Sequence, residues 1–266
     1  PSPVSPGPRP EASPRSRSAS TRRAKRAIAS AFGAHPYGFC VPYLIALFGV
    51  VQSLRHRFEV TDIALDGRPA PSLARHALGE GRVARPLRIV QITDPHLGPF
   101  MSVPRLKRIA QRAVEREPDL IVLTGDFLTM ESQAREDYLA EAFSPLAALE
   151  GRVFACLGNH DHEALHIVKN ALARAKVRLL VDQSELVETP AGLVQVVGAD
   201  YHFQGRHEQL TRLATANPRV PGAFRLWLLH DPGAFRRIPV GDADLVLSGH
   251  THGGQVGLLS LGGSWT

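Results

Sequence analysis

Five short stretches of the 266-residue sequence combine carboxylate, amide and imidazole side chains with glycine: Asp94-Pro-His96, Gly125-Asp126, Gly158-Asn159-His160-Asp161, His230-Asp231 and Gly249-His250-Thr-His252-Gly-Gly-Gln255. They offer oxygen and nitrogen donors and no thiolate. That set suits a pair of Zn, Mn or Fe ions better than a structural zinc. Along extended backbone, residues i and i+2 project to one side, so Asp94 with His96, or His250 with His252, can reach one ion. A lone carboxylate between two such pairs can bridge two ions, and Asp126 is the natural candidate. Two divalent ions about 3.5–4 Å apart clamp a phosphoryl group, acidify water and stabilise a leaving oxygen.

Apolar runs precede these stretches and must position them. The runs are Leu87–Thr93, Leu120–Thr124, Val153–Leu157, Leu193–Val197, Leu226–Leu229 and Leu245–Leu247. Between them Leu106, Ile109, Ala113 and Val114 recur at helical spacing, as do Leu165, Val168, Leu172 and Ala175. Leu139, Phe143 and Leu146 predict a third helix with a core-facing stripe. Strand and helix alternate, so the class is α/β. In such sheets the loops at the carboxyl ends of strands converge on one crevice, which would gather the donors in one place.

The chain is long enough for one sizeable domain. Its formal charge of +6 is unevenly spread. Residues 1–57 hold nine of the 31 Lys and Arg and one of the 25 Asp and Glu, leaving 22 basic against 24 acidic side chains in the other 209 residues. The region bearing the donors is thus near neutral and offers no broad basic face, so no nucleic acid is expected as a partner. Two cysteines, Cys40 and Cys156, exclude a disulfide-stapled fold and a Cys-rich zinc module.

Residues 1–26 are rich in Pro, Ser and Arg and read as a disordered tail. Residues 27–54 contain no Asp, Glu, Lys or Arg and are expected to associate with a membrane. Three readings stay open: a signal anchor, a cleaved signal peptide, and an interfacial or buried hairpin. The denser basic residues before the segment lean the following domain to the extracytoplasmic side, although Arg55 and Arg57 blunt that bias. A strand is expected over Arg57–Leu65, and residues 67–86 read as a Pro/Gly/Arg-rich connector; strand and connector together occupy 55–86.

The order Asp-x-His, Gly-Asp, Gly-Asn-His-Asp, His, Gly-His-x-His, complete from Asp94 to His252, resembles the calcineurin-like metallophosphoesterase superfamily. The Gly-His-Thr-His-Gly-Gly-Gln form and the preceding apolar segment resemble a bacterial membrane-associated branch. That branch includes UDP-2,3-diacylglucosamine pyrophosphatases and general phosphodiesterases. The resemblance implies a four-layer αββα sandwich over residues 87–266, at the bacterial inner membrane. It assigns Asp94, His96 and His252 to one divalent ion (Mn, Zn or Fe) and Asn159, His230 and His250 to the other, with Asp126 between them. A bridging hydroxide would attack phosphorus. His160 would face the substrate as proton donor or phosphoryl stabiliser, with Asp161 orienting its imidazole. The implied reaction is hydrolysis of a phosphodiester or diphosphate, with a lipid-linked or nucleotide-lipid substrate favoured.

Two departures bear on this. Gly125-Asp126 continues as Phe-Leu-Thr-Met, without the Arg of the phosphoprotein-phosphatase branch, and Asp161 stands where that branch has Glu. A protein Ser/Thr phosphatase is therefore not expected. Family members carry further strands beyond the 14 residues that follow His252, so an incomplete second sheet is the expectation here. A phosphomonoesterase, a cyclic-nucleotide phosphodiesterase and a truncated, non-catalytic metal-binding domain remain as alternatives. Outside the motifs, His162 and His166 read as helix-surface residues, and His202 and His207 as parts of a polar loop. Asp231 reads as a turn residue or a support of the ligands rather than a ligand, Cys156 as core, and Thr93 and Thr124 as hydrogen-bonding supports of the ligands.

Overall fold

Residues 120–123 are apolar at every position, so a strand formed there must bury both faces. The computed structural model, which describes residues 40–53, 59–64, 77–78, 82–83, 86–133 and 135–252, shows how. In chain order the elements are α1 (Cys40–Ser53), β1 (Ala77–Leu78), β2 (Arg82–Val83), β3 (Ile89–Ile92), α2 (Val103–Val114), β4 (Leu120–Leu123), α3 (Asp137–Phe143) and β5 (Val153–Ala155). They continue with α4 (Leu165–Arg174), β6 (Arg178–Leu179), β7 (Gln183–Thr189), β8 (Gly192–Gly198), α5 (Arg206–Ala216), β9 (Phe224–Leu228) and β10 (Leu245–Leu247).

Strands β3, β4, β5 and β6 form a parallel sheet in that order. The second sheet runs β10-β9-β8-β7, parallel except for β7, which pairs antiparallel with β8. Side chains alternate between faces and create three apolar layers. Ile121 and Leu123 of β4 pack with Leu106, Phe143 and Leu172 from α2, α3 and α4. Leu120 and Val122 turn the other way and meet Val194, Val196, Leu226 and Leu228 of the second sheet. Val197 and Trp227 face outward from that sheet onto Leu210 and Leu213 of α5. The order helix, sheet, sheet, helix is the αββα sandwich expected. Cys156 lies in the layer between the sheets, and burial pushes its thiol pKa up.

Three parts of the sequence reading change. The strand expected over Arg57–Leu65 is not formed over 59–64, where five of six residues are exposed and so lack a face to bury; 57, 58 and 65 lie outside the described residues. β7 was hidden by its mixed Gln-Ser-Glu-Leu-Val-Glu-Thr pattern, which suits an edge strand. α5 places His207 on an exposed helix face rather than in a loop, because Leu210, Leu213 and Ala214 supply a narrow buried stripe in an otherwise polar segment.

The tail 1–26, most of the connector 67–86 and the residues after His252 lie outside the described residues. Of the apolar segment, α1 is described: a 14-residue helix with exposed Tyr43, Leu44, Ile45, Leu47 and Phe48. At 1.5 Å per residue it is about 21 Å long. Among the described residues no helix is long and apolar enough to cross a membrane.

Candidate metal centre

Each sequence motif sits at the carboxyl end of a strand: Asp94 and His96 after β3, Asp126 after β4, Asn159 to Asp161 after β5, His230 after β9, and His250 and His252 after β10. The edges of the two sheets bring them together. Asp94, His96 and His252 form one cluster of potential ligand atoms, and Asp126, His230 and His250 a second. His96 Nε2 lies 3.1 Å from His252 Nε2, and His230 Nε2 lies 3.2 Å from His250 Nδ1. His252 Nε2 is 3.6 Å from Asp94 Oδ1. Atoms bonded to one ion at roughly 2.0–2.2 Å stand about 3–3.5 Å apart, so both groups fit a small divalent cation.

Asp126 joins the groups. Its Oδ2 lies 3.2 Å from His230 Nε2 and 3.6 Å from His96 Nε2. Its Oδ1 accepts the backbone N–H of His160 at 3.0 Å, which leaves Oδ2 for the imidazoles. Asn159 leaves its buried Oδ1 without a hydrogen-bond partner. An orphaned buried oxygen is costly unless a cation or donor is supplied, so this atom suits a ligand role. Carboxylate, amide and imidazole donors together fit the divalent ions that the motifs imply.

The backbone shows why i and i+2 converge, and corrects the extended-chain reading. Asp94 (φ 48°), His96 (φ 41°), Asp126 (φ 56°), His250 (φ 69°) and His252 (φ 49°) all adopt left-handed backbone. Each such residue costs of order 1–3 kcal/mol and persists only when its surroundings hold it. Tight left-handed turns, not strand alternation, aim these side chains. Room for the turns comes from Gly158 and Gly249. A Cβ at Gly249 would collide with Thr93 Oγ1 and Asp94 Oδ2, and one at Gly158 with the Asp126 carboxylate.

Hydrogen bonds fix the donors. His230 Nδ1 donates to the Thr124 carbonyl at 2.6 Å, which reserves Nε2 for a ligand. Thr93 Oγ1 donates to Asp94 Oδ2 at 2.5 Å, and both Asp94 oxygens accept the His250 N–H at 2.9 Å. The Thr124 hydroxyl accepts from Gln91 Nε2. Burial opposes ionisation of Asp126, yet the His230 hydrogen bond and charge outweigh it and hold the carboxyl below its ordinary range. Burial also disfavours a charged His230, but Asp126 raises its basicity overall. His96 moves the other way: burial, reinforced by His252, outweighs Asp126 and Asp94 and lowers its pKa.

Asp161 does not orient His160. Its fully buried carboxylate accepts the N–H groups of Asp126, Phe127 and Gly158, each at 2.8 Å. Burial pushes its pKa up to about 6, while the Gly158 and Phe127 amides pull the other way. The imidazole of His160 instead places Nδ1 3.0 Å from Glu163 Oε1 and meets the His96 ring edge-on. His162 lies on the short 3-10 helix His160–Ala164, half-buried, with Nε2 3.0 Å from Asp200 Oδ1, whereas His166 is exposed on α4. His202 stands 3.6 Å from Asp182 Oδ2. Asp231 closes the turn Pro232–Arg237 by accepting the Gly233 N–H, and also pairs with Arg206.

Two residues carried no sequence signal. The Tyr201 ring packs 6.0 Å from His230 and 6.1 Å from His250, and the Arg206 guanidinium lies over the same ring, 4.4 Å from its centroid. They line a cavity shared with Asp200, His202, His230 and Asp231. Glu163 was legible in principle, since its i+3 spacing from His160 places the two side by side on a tight helical turn.

Residues 87–254 match the family model of the calcineurin-like phosphoesterases, well over half of the chain. The chain belongs to the calcineurin-like phosphoesterase family. It is 30% identical over 177 residues to the phosphodiesterase YaeI of Escherichia coli K12, covering 65% of this chain and 63% of that protein. It is 26% identical over 222 residues to the UDP-2,3-diacylglucosamine pyrophosphatase LpxG of Chlamydia muridarum, covering 65% of each. A Danio rerio relative named as a transmembrane protein with a metallophosphoesterase domain is 28% identical over 255 residues, 91% of this chain and 55% of that one. This chain thus spans less than two thirds of the length of each of these relatives.

Proposed function

We propose that this chain is a metal-dependent phosphoesterase that cleaves phosphodiester or diphosphate bonds, with a lipid-linked substrate. Asp126 carries the reading of the reaction type: one carboxylate oxygen is within 3.6 Å of an imidazole in each donor group. That arrangement supports two ions side by side, one on Asp94, His96 and His252 and the other on Asn159, His230 and His250, with Asp126 between them. Divalent ions there would supply Lewis-acid polarisation of the phosphoryl oxygens and acidification of water.

The protein's own groups do the remaining work. The half-exposed His160 ring, held at Nδ1 by Glu163, keeps Nε2 for proton delivery to a leaving oxygen or for a hydrogen bond to the phosphoryl group. Asp161 fixes the backbone of Asp126 and Gly158, so the two loops keep their spacing. Tyr201 covers the His230 and His250 rings on one side of the site.

The lipid-linked substrate draws support from the name of the Chlamydia relative and from the exposed apolar side chains of α1. Membrane association through residues 27–54, with the domain at 87–266 on the extracytoplasmic side of a bacterial inner membrane, is supported by the basic residues that precede the segment. The transmembrane relative aligns over nearly the whole chain, which accords with it.

The test is hydrolysis of bis-(p-nitrophenyl) phosphate by metal-depleted protein resupplied with Mn, Zn or Fe, beside Asp126→Asn. Metal-dependent turnover that Asp126→Asn abolishes supports the reading. Folded protein inert with all three metals overturns it. Faster cleavage of p-nitrophenyl phosphate would transfer the assignment to a phosphomonoesterase, and a lipid diphosphate assay tests the substrate class.

A further inference from the structure

We infer that the mouth of the candidate site docks on an anionic lipid surface through Phe100, Met130, Phe203 and Phe235. Within residues 61–266, six large apolar side chains among the described residues are more than half exposed: Ile63, Phe100, Met130, Phe203, Phe235 and Val240. Single exposed apolar residues are ordinary on a protein surface. Their placement here is not scattered. Phe100 (74% exposed) follows β3 and its ligands Asp94 and His96, and Met130 (75%) follows Asp126. Phe203 (71%) follows β8 beside Tyr201, and Phe235 (54%) lies in the turn after His230. Each of these four segments carries one such side chain close after the donors, while Val240 lies farther along the connection to β10.

The loops are tied in two pairs, each continuing from a strand end that carries donors. Leu97 bridges to Leu128, and the Thr129 N–H donates to the Leu97 carbonyl at 3.1 Å, joining the loops of Phe100 and Met130. Arg206 joins the other two, with Nε donating to the His202 carbonyl and Nη1 paired with Asp231. The Tyr201 and Phe203 rings meet edge-on with centroids 5.0 Å apart.

Charge selects the occupant. Phe235 is followed by exposed Arg236 and Arg237, and Arg105 donates to the Phe100 carbonyl at 2.8 Å; the acids at this edge are Glu131 beside Met130, Glu163, which pairs with His160 and Gln133, and Asp231, which Arg206 neutralises. Aromatic and aliphatic tips beside cations match an interface of acyl chains and anionic headgroups, where apolar side chains enter roughly 5–10 Å. The same chain carries a second lipid-compatible element in α1. A mouth held against the headgroups would meet a lipid-linked phosphoester without drawing the lipid out of the bilayer. The substrate class rests on the proposal above; the docking does not.

The experiment uses the whole 266-residue chain carrying Phe203→Trp or Phe235→Trp, with Val240→Trp as a control. Val240 precedes Gly241 and Asp242, which bond Arg219 and Arg225 at the opposite end of β9 from His230. Each protein is mixed, without substrate, with phosphatidylcholine/phosphatidylglycerol vesicles whose acyl chains carry bromine, and the unsubstituted chain's fluorescence is subtracted. The expected result is quenching at 203 and 235 about tenfold stronger than at 240, falling sharply with Arg236→Gln/Arg237→Gln or with pure phosphatidylcholine. Equal quenching at all three positions, or none at 203 and 235, overturns the inference. So does a doubled mass in solution without quenching, which would assign the edge to a second copy of the chain. Activity plays no part in the readout, so a failed docking and a failed phosphoesterase reading are distinguishable.

Discussion

The carboxylate of Asp161 accepts the backbone N–H of Asp126, the residue that stands between the two donor groups, at 2.8 Å. The same side chain holds Phe127 and Gly158. One buried carboxylate thus sets the distance between the loop after β4 and the loop after β5, and it acts on the site through the main chain.

Asp161→Asn tests that assignment. The amide keeps one acceptor oxygen and turns its NH2 toward backbone donors, leaving at least one buried N–H unpaired at about 1–3 kcal/mol each. The expected loss is about 2–4 kcal/mol in denaturant unfolding, with weaker metal retention in equilibrium dialysis. Stability and metal retention unchanged from the native protein would show that these three hydrogen bonds do not hold the two loops.

Glu163→Gln separates orientation from fold. The Glu163 to His160 contact is half exposed, so little stability should be lost. The variant should bind metal as the native protein does and turn over bis-(p-nitrophenyl) phosphate about 3–10-fold more slowly, whereas His160→Ala should cost about 10²–10⁴-fold. If Glu163→Gln is silent in both rate and pH profile while His160→Ala is not, Glu163 is not the positioning residue.

Most of the site was legible because motif order survives without knowledge of the turns. Asp94, His96, Asp126, His230, His250 and His252 converge as their placement after strands requires. The mode of convergence was not legible: left-handed φ at five of these residues depends on loops such as Gly249 against Asp94, which contact only in the folded chain. The role of Asp161 was hidden for the same reason, since its amide partners at 126 and 127 are distant in sequence. Tyr201 and Arg206 belong to no motif, and α5 is too polar to stand out by periodicity. The α/β class was legible in the alternation of strands and helices and the sandwich in the motif resemblance, but the polar edge strand β7 was not.

Arg225, on β9 at the end remote from His230, is fully buried and bonds Asp242 Oδ2 through Nε and Nη2 at 3.1 and 2.9 Å, leaving Nη1 without a partner. Removing one member of such a pair strands a charge. Arg225→Met should destabilise the protein by about 3–5 kcal/mol, while Arg225→Met/Asp242→Leu should recover much of that loss. Urea unfolding of the two single variants and the double variant checks this. Turnover per folded molecule should stay near the native value, because the pair touches none of the candidate ligands; a selective loss of turnover would show coupling between the two ends.

Acid should loosen the approach to β10 through Asp244. Burial opposes ionisation of Asp244, but Arg219 and the Arg225 N–H outweigh it and hold the carboxyl below its ordinary range. A carboxyl whose folded pKa lies below its unfolded value stabilises the fold above the ordinary carboxylate range and loses that contribution as pH falls through the folded pKa. Stability of the native chain should therefore fall with acidification below about pH 4, and Asp244→Asn should flatten that part of the curve while changing little of its slope at neutral pH. Parallel curves for the two proteins between about pH 4 and 2 would show that Asp244 contributes nothing to the acid limb. Because Leu245–Leu247 leads directly to His250, the readout should include metal retention, which should be weaker in Asp244→Asn than in the native chain already at neutral pH, with the two converging as acid protonates Asp244.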